Sequence, residues 1–125
     1  MSTIRVDNFG PSAGGTTYSA RGIAKAWVNF NGTGTIAARD SENVSSLTDN
    51  GTGNYAVNFS SVFGDANYAA TMNARAGGGV QSIITLNRDA TPSAAAHYIY
   101  VVNPSTPLTL QDEAFVNVAL HGDLA

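Results

Sequence analysis

The chain has no cysteine, which removes disulfides, thiolate nucleophiles and zinc–thiolate centres together. Charge is scarce as well. Only 12% of the residues are charged, about half the usual share of roughly 25%, so the surface must be covered by Asn, Thr, Ser, Ala and Gly. Such a surface costs little to desolvate, which suits burial against sister subunits or contact with neutral ligands. The six basic residues, Arg5, Arg21, Lys25, Arg39, Arg75 and Arg88, are scattered along a chain of net charge -3. Without a basic cluster the counterion-release term behind nucleic-acid affinity is missing, and no nucleic-acid partner is expected. No stretch approaches the ~20 apolar residues of a membrane span, and the N-terminus MSTIRVDNFG lacks an apolar core of signal-peptide length. Neither membrane insertion nor ordinary secretion is expected.

Helical patterning is missing too. No window places apolar residues at i, i+3, i+4 and i+7 behind a capping box. The nearest candidate, the alanine run Pro92 to Ala96, is too short. What recurs is period-two alternation bounded by Gly and Asn. Ala26, Val28 and Phe30 share one face, while Lys25, Trp27 and Asn29 share the other. Asn31-Gly32 then reads as a turn in which both residues tolerate positive φ, and Thr35 to Ala38 resumes the sheet. Asn43 to Thr48 leads into the turn cluster Asp49-Asn50-Gly51-Thr52-Gly53, after which Tyr55, Val57 and Phe59 alternate with polar or small residues. Further strands are expected over Tyr68 to Ala74, Val80 to Leu86, Tyr98 to Val102 and Ala114 to Leu120. In the last of these Phe115 falls with Asn117 and Ala119, and Val116 with Val118 and Leu120.

With 125 residues, 43% hydrophobic and 9% aromatic, one domain with its own core is expected. Its fold class is all-β, an antiparallel β-sandwich of about seven or eight short strands. Residues 1–22 read as an extended N-terminal arm or linker with a brief strand at Thr3 to Val6, and residues 23–125 as the sandwich head.

The segments Lys25-Ala26-Trp27-Val28-Asn29-Phe30-Asn31-Gly32-Thr33-Gly34, Arg39 to Phe59 (with its Asn43-Val44-Ser45-Ser46 turn and Asp49-Asn50-Gly51-Thr52-Gly53 hairpin) and Asp65 to Ala69 resemble bacteriophage tail-fibre and virion receptor-binding modules. The resemblance covers about residues 24 to 75 well, and Val116 to Asp123 loosely as a closing strand. It implies a compact β-sandwich that forms homotrimers at or near a fibre tip, located in the virion tail after assembly in the host bacterial cytoplasm. The arm would join other tail or baseplate proteins; the resemblance identifies no ligand, and a host surface glycan is an expectation that the sparsely charged surface suits. Two features depart from the pattern. Glu42 stands where an aromatic or aliphatic residue is usual, which makes that strand edge more exposed. The shaft is also reduced to a short arm, which fits a minimal fibre or a small head or adaptor docked on other virion proteins. Lys25, Trp27 and Asn29 are expected at the trimer interface, with a sugar-stacking platform as the alternative role of Trp27, and Arg75, Gly77, Gly78, Gly79, Arg88 and the loop from Ala90 to Ala96, as loop positions, are candidates for ligand contact.

Catalytic constellations are hard to find. Neither His97 nor His121 sits in a recognisable triad context, and His97 reads as a strand-end side chain hydrogen-bonded at the sheet rim. Asp40, Glu42, Asp49, Asp65, Asp89, Asp112 and Glu113 all fall in expected turns or edges, where acidic residues usually cap backbone N–H groups, not in a glycosidase pair. The Asp49 to Gly53 run lacks the spacing and closing Glu of a calcium loop. His121 could be tripled by a three-fold axis, yet no metal site is assigned. No enzyme activity and no cofactor are expected.

Overall fold

A computed structural model describes residues 3, 5–10, 13–16, 18–75, 82–104 and 107–125. Eleven antiparallel strands are described: β1 (Asn8–Phe9), β2 (Tyr18–Ser19), β3 (Ala26–Asn31), β4 (Ala37–Glu42), β5 (Val44–Asp49), β6 (Asn54–Phe59), β7 (Ala69–Arg75), β8 (Ile83–Leu86), β9 (Ala96–Asn103), β10 (Thr109–Leu110) and β11 (Phe115–His121). Eight of them have four residues or more. A short 3-10 turn spans Ala20–Gly22.

One sheet has the order β4-β3-β11-β7. The other runs β10-β9-β6-β5, with β8 also paired to β9. Their inner faces meet in one core, because alternation turns every second residue inward. Ala26, Val28 and Phe30 from β3 and Val116, Val118 and Leu120 from β11 face Tyr55, Val57 and Phe59 from β6 and Ile99 and Val101 from β9. Phe30 meets Tyr55 edge-on across the core, with ring centroids 5.3 Å apart. The fold is therefore the expected all-β sandwich.

Several local expectations change. Asn31-Gly32 is not a positive-φ turn: Asn31 ends β3, and the left-handed residue is Gly34 at φ 62°. Gly32 is selected by crowding instead, since a Cβ there would lie 2.7 Å from the Tyr55 hydroxyl. The strand expected at Thr35 to Ala38 begins at Ala37 and continues through Arg39, Asp40, Ser41 and Glu42. It is an edge strand, exposed along nearly its whole length, so it carries no apolar alternation to read, and Glu42 is exposed as expected. Asn43, at φ 55°, turns the chain from β4 in one sheet to β5 in the other. The Asp49 to Gly53 hairpin is present, with Asp49 Oδ1 accepting the Gly51 N–H at 2.8 Å.

In the arm, Thr3, Arg5 and Val6 are not in a strand; β1 lies further on and pairs with β2 as a separate two-stranded sheet. Among the described residues, none of the arm belongs to the core cluster. Where the alternation predicts a strand over Val80 to Leu86, the structure shows one only from Ile83, and residues 80 and 81 lie outside the described residues.

Candidate interaction surface on the four-stranded sheet

Residues that alternate with the core positions of β3, β11 and β7 form the outer face of the four-stranded sheet. Register sets their order. Asn29 stands opposite Asn117, and Asn117 opposite Asn73. Neighbouring strands lie about 4.8 Å apart, which lets each amide reach the next. Asn29 Nδ2 donates to Asn117 Oδ1 at 2.5 Å, and Asn117 Nδ2 donates to Asn73 Oδ1 at 2.8 Å. A primary amide has two N–H groups and two lone pairs, so each rung keeps hydrogen-bonding capacity for a further partner.

Beside this ladder, Phe115 of the central strand β11 carries two guanidinium groups. Arg75 is its direct cross-strand neighbour on β7, with its guanidinium carbon 5.3 Å from the ring centroid. Arg39 approaches from β4 at 4.1 Å. It gets there because the β3–β4 pairing is irregular: Asn29 faces Asp40 whereas Phe30 faces Ala38, which leaves Arg39 without a partner across the ladder. A bulge of this kind re-aims a side chain. Here it sends Arg39 over the face, where Nη1 reaches Asn29 Oδ1 at 3.4 Å and Nη2 donates to the Ala114 carbonyl. Among the described residues the one ion pair joins Arg88 to Asp89, so no carboxylate neutralises Arg39 or Arg75. Trp27, half-buried, lies on the same face between Glu42 and Ala119.

The residues expected at a trimer interface are thus partly together. Trp27 and Asn29 share this face, while Lys25 turns its ammonium to the Ala20 carbonyl at 3.0 Å. The expected ligand residues are not brought together. Arg75 lies on this sheet. Arg88 follows β8 of the other sheet, in a 350 Å³ cleft with Asp89, Leu86, Tyr100, Leu108 and Leu110. There Tyr100 donates to Asp89 Oδ2 at 2.6 Å, which raises the pKa of the phenol. Gly77, Gly78 and Gly79 lie outside the described residues. Phe115, Asn73, Asn117 and Arg39 were not singled out as site residues. Alternation alone puts Phe115 and Asn117 outward, but only cross-strand register shows which side chains they meet.

His97 is a correction. It is no rim residue but is 1% exposed, packed edge-on to Tyr68, and burial lowers its pKa from 6.5 to about 4. Glu113 is likewise buried rather than at an edge, accepting from Ser82 at 2.5 Å and from Gln111 at 3.0 Å. Asp112 accepts from the Tyr55 hydroxyl at 2.6 Å and the Gly53 N–H at 2.7 Å. Asp65 is a cap, its pKa lowered by the Asn67 backbone and side-chain N–H groups. His121 donates through Nδ1 to the Gly22 carbonyl at 3.1 Å, and among the described residues no group of three or more His, Asp or Glu side chains is placed to hold a metal. No helix among them is long and apolar enough to cross a membrane.

The class these features define is an antiparallel β-sandwich with an amide, aromatic and guanidinium face. Comparison with protein families, curated proteins and solved structures finds no match.

Proposed function

We propose that the chain is a virion attachment module, a phage tail-fibre or tail-tip head that trimerises and binds the host cell envelope through a surface glycan. The observation that carries the reading is the outer face of the four-stranded sheet, where three hydrogen-bonded amides are bordered by Trp27 on one side and Phe115 on the other. Amides exchange hydrogen bonds with sugar hydroxyls, and aromatic rings pack against pyranose faces. The sequence resemblance supplies the viral part of the proposal. Weak contacts repeated over three subunits would add by avidity, so no deep pocket is required, and the module acts by binding rather than catalysis.

A second reading, an adaptor with protein partners only, is favoured by one observation. Ile83, Leu86, Leu108 and Leu110 are all exposed around β8 and β10, and exposed apolar side chains gathered in one region mark protein contacts.

The test separates arm from head. Deleting residues 1–22 should abolish incorporation into particles yet leave adsorption of the labelled head to bacterial envelopes intact. A head that never adsorbs to envelopes, while still entering particles, would favour the adaptor.

A further inference from the structure

We propose that Arg39, Arg75 and Phe115 form a binding site for an acidic saccharide, whose carboxylate is held by the two guanidinium groups while neighbouring hydroxyls pair with Asn29, Asn117 and Asn73. This rests on the envelope-binding reading and names the ligand class it requires.

Of six basic residues in a chain of net charge -3, two stand over a single aromatic ring with no carboxylate partner. Bringing like charges together costs free energy unless an anion joins them. The nearest register positions that carry acid are Asp40, opposite Asn29, and Glu42, opposite Trp27. Both lie further along the face than the Phe115 end. Asp40 therefore sits at the end of the amide ladder, its carboxylate accepting from the Ser41 N–H, while Arg39 spans from Asn29 to the Phe115 ring.

The geometry is also prepared for an anion. A guanidinium offers planar, paired N–H donors that match a carboxylate. Phe115 packs against both groups, and the Ala114 carbonyl and Asn29 fix one edge of Arg39, which reduces the side-chain freedom lost on binding. Arg75, exposed and packed only on the ring among its described contacts, keeps its donors available.

Sequence separation makes the arrangement specific. Arg39 comes from edge strand β4, Arg75 from edge strand β7, and Phe115 from β11 between them. Only the bulge at Asn29 and Phe30 brings Arg39 over the face. The amide rungs repeat at about the strand spacing of 4.8 Å. A chain of sugars laid across the strands fits this better than a single small molecule does.

Titration calorimetry of the full chain with oligogalacturonate, with a glycerol-phosphate oligomer and with dextran tests the site. Oligogalacturonate should bind, dextran at least about tenfold more weakly, and raising NaCl from about 50 to about 300 mM should weaken only the charged ligand. Arg39→Gln and Arg75→Gln should each reduce oligogalacturonate affinity about tenfold, and Arg75→Lys should lose less. Arg75→Gln, with an unchanged melting temperature, guards against a folding defect.

Equal binding of dextran, no effect of either Gln variant, or no binding of any probe would overturn the site. Binding of the glycerol-phosphate oligomer alone would overturn the carboxylate assignment. Envelope adsorption that survives both Gln variants would sink this site and spare the proposed function. Oligogalacturonate binding without any envelope adsorption would do the reverse.

Discussion

His97 stands edge-on to Tyr68, with ring centroids 5.5 Å apart and planes at 62°, and its two ring nitrogens face the Tyr68 hydroxyl and the Met72 sulfur, each at 3.4 Å. No carboxylate makes a described contact with the imidazole, and the Tyr68 hydroxyl already donates to the Ser93 and Ala96 carbonyls. Protonating His97 would bury a charge facing only two neutral acceptors, the Tyr68 hydroxyl oxygen and the Met72 sulfur, each at 3.4 Å.

Stability should therefore fall on acidification. In the unfolded chain the imidazole takes a proton near its ordinary pKa of 6.5, whereas in the folded chain it resists until about 4. The stabilisation is fully present above 6.5 and is lost as pH falls from there to about 4, with about 3 kcal/mol at stake. Urea midpoints measured from about pH 7.5 down to 5, above the range where most carboxylates titrate, should drop steadily. In His97→Gln the decline over this window should nearly vanish. An unchanged slope in that variant would place the proton uptake elsewhere.

Tyr55 ties the core to the loop end of the sandwich, donating toward the Gly32 carbonyl and Asp112, and burial beside that carboxylate raises its pKa strongly. Tyr55→Phe keeps the ring against Phe30 and removes the hydroxyl. It should cost about 1–3 kcal/mol, read as a shift in urea midpoint with unchanged m-value.

Gly53 and Gly34 have nearly the same backbone, at φ 61° and 62°, but different surroundings. A Cβ at Gly53 would lie 2.5 Å from the Val101 carbonyl oxygen, whereas at Gly34 it would meet nothing within 4 Å. Gly34→Ala should cost about 1–2 kcal/mol, the left-handed penalty alone. Gly53→Ala should cost roughly 1–3 kcal/mol more, since backbone on both sides must shift. Equal losses would show that the backbone at Val101 and Gln111 yields without resistance.

Asn117 is the middle rung of the amide ladder. Asn117→Leu leaves Asn29 and Asn73 free to turn to water, so stability should change by less than about 1 kcal/mol. Adsorption to bacterial envelopes should nevertheless fall severalfold. Loss of stability without loss of adsorption would make the ladder a purely structural feature.

The sandwich was legible because β3 and β11 bury every second side chain and β6 sends Tyr55, Val57 and Phe59 into the core, with no competing helical period. Edge strand β4 was only half legible, since Ala37 to Glu42 is exposed and has no buried face to impose a pattern. Asn31-Gly32 misled because its chemistry fits a turn, while the glycine is needed for close approach to Tyr55. The candidate site was visible only in fragments. Alternation put Asn29, Asn117 and Phe115 outward, but the meeting of Arg39 and Arg75 on Phe115 depends on a bulge and on pairing between residues far apart in sequence. His97 was misplaced because its neighbours Tyr68 and Met72 come from around another strand, which a strand-end position does not reveal.

The most direct test of an assembling attachment module is the solution mass of the full chain, measured by light scattering during size-exclusion chromatography and repeated after tenfold dilution. A mass three times that of the chain, unchanged on dilution, is the expected result. A stable monomer at both concentrations would contradict trimerisation.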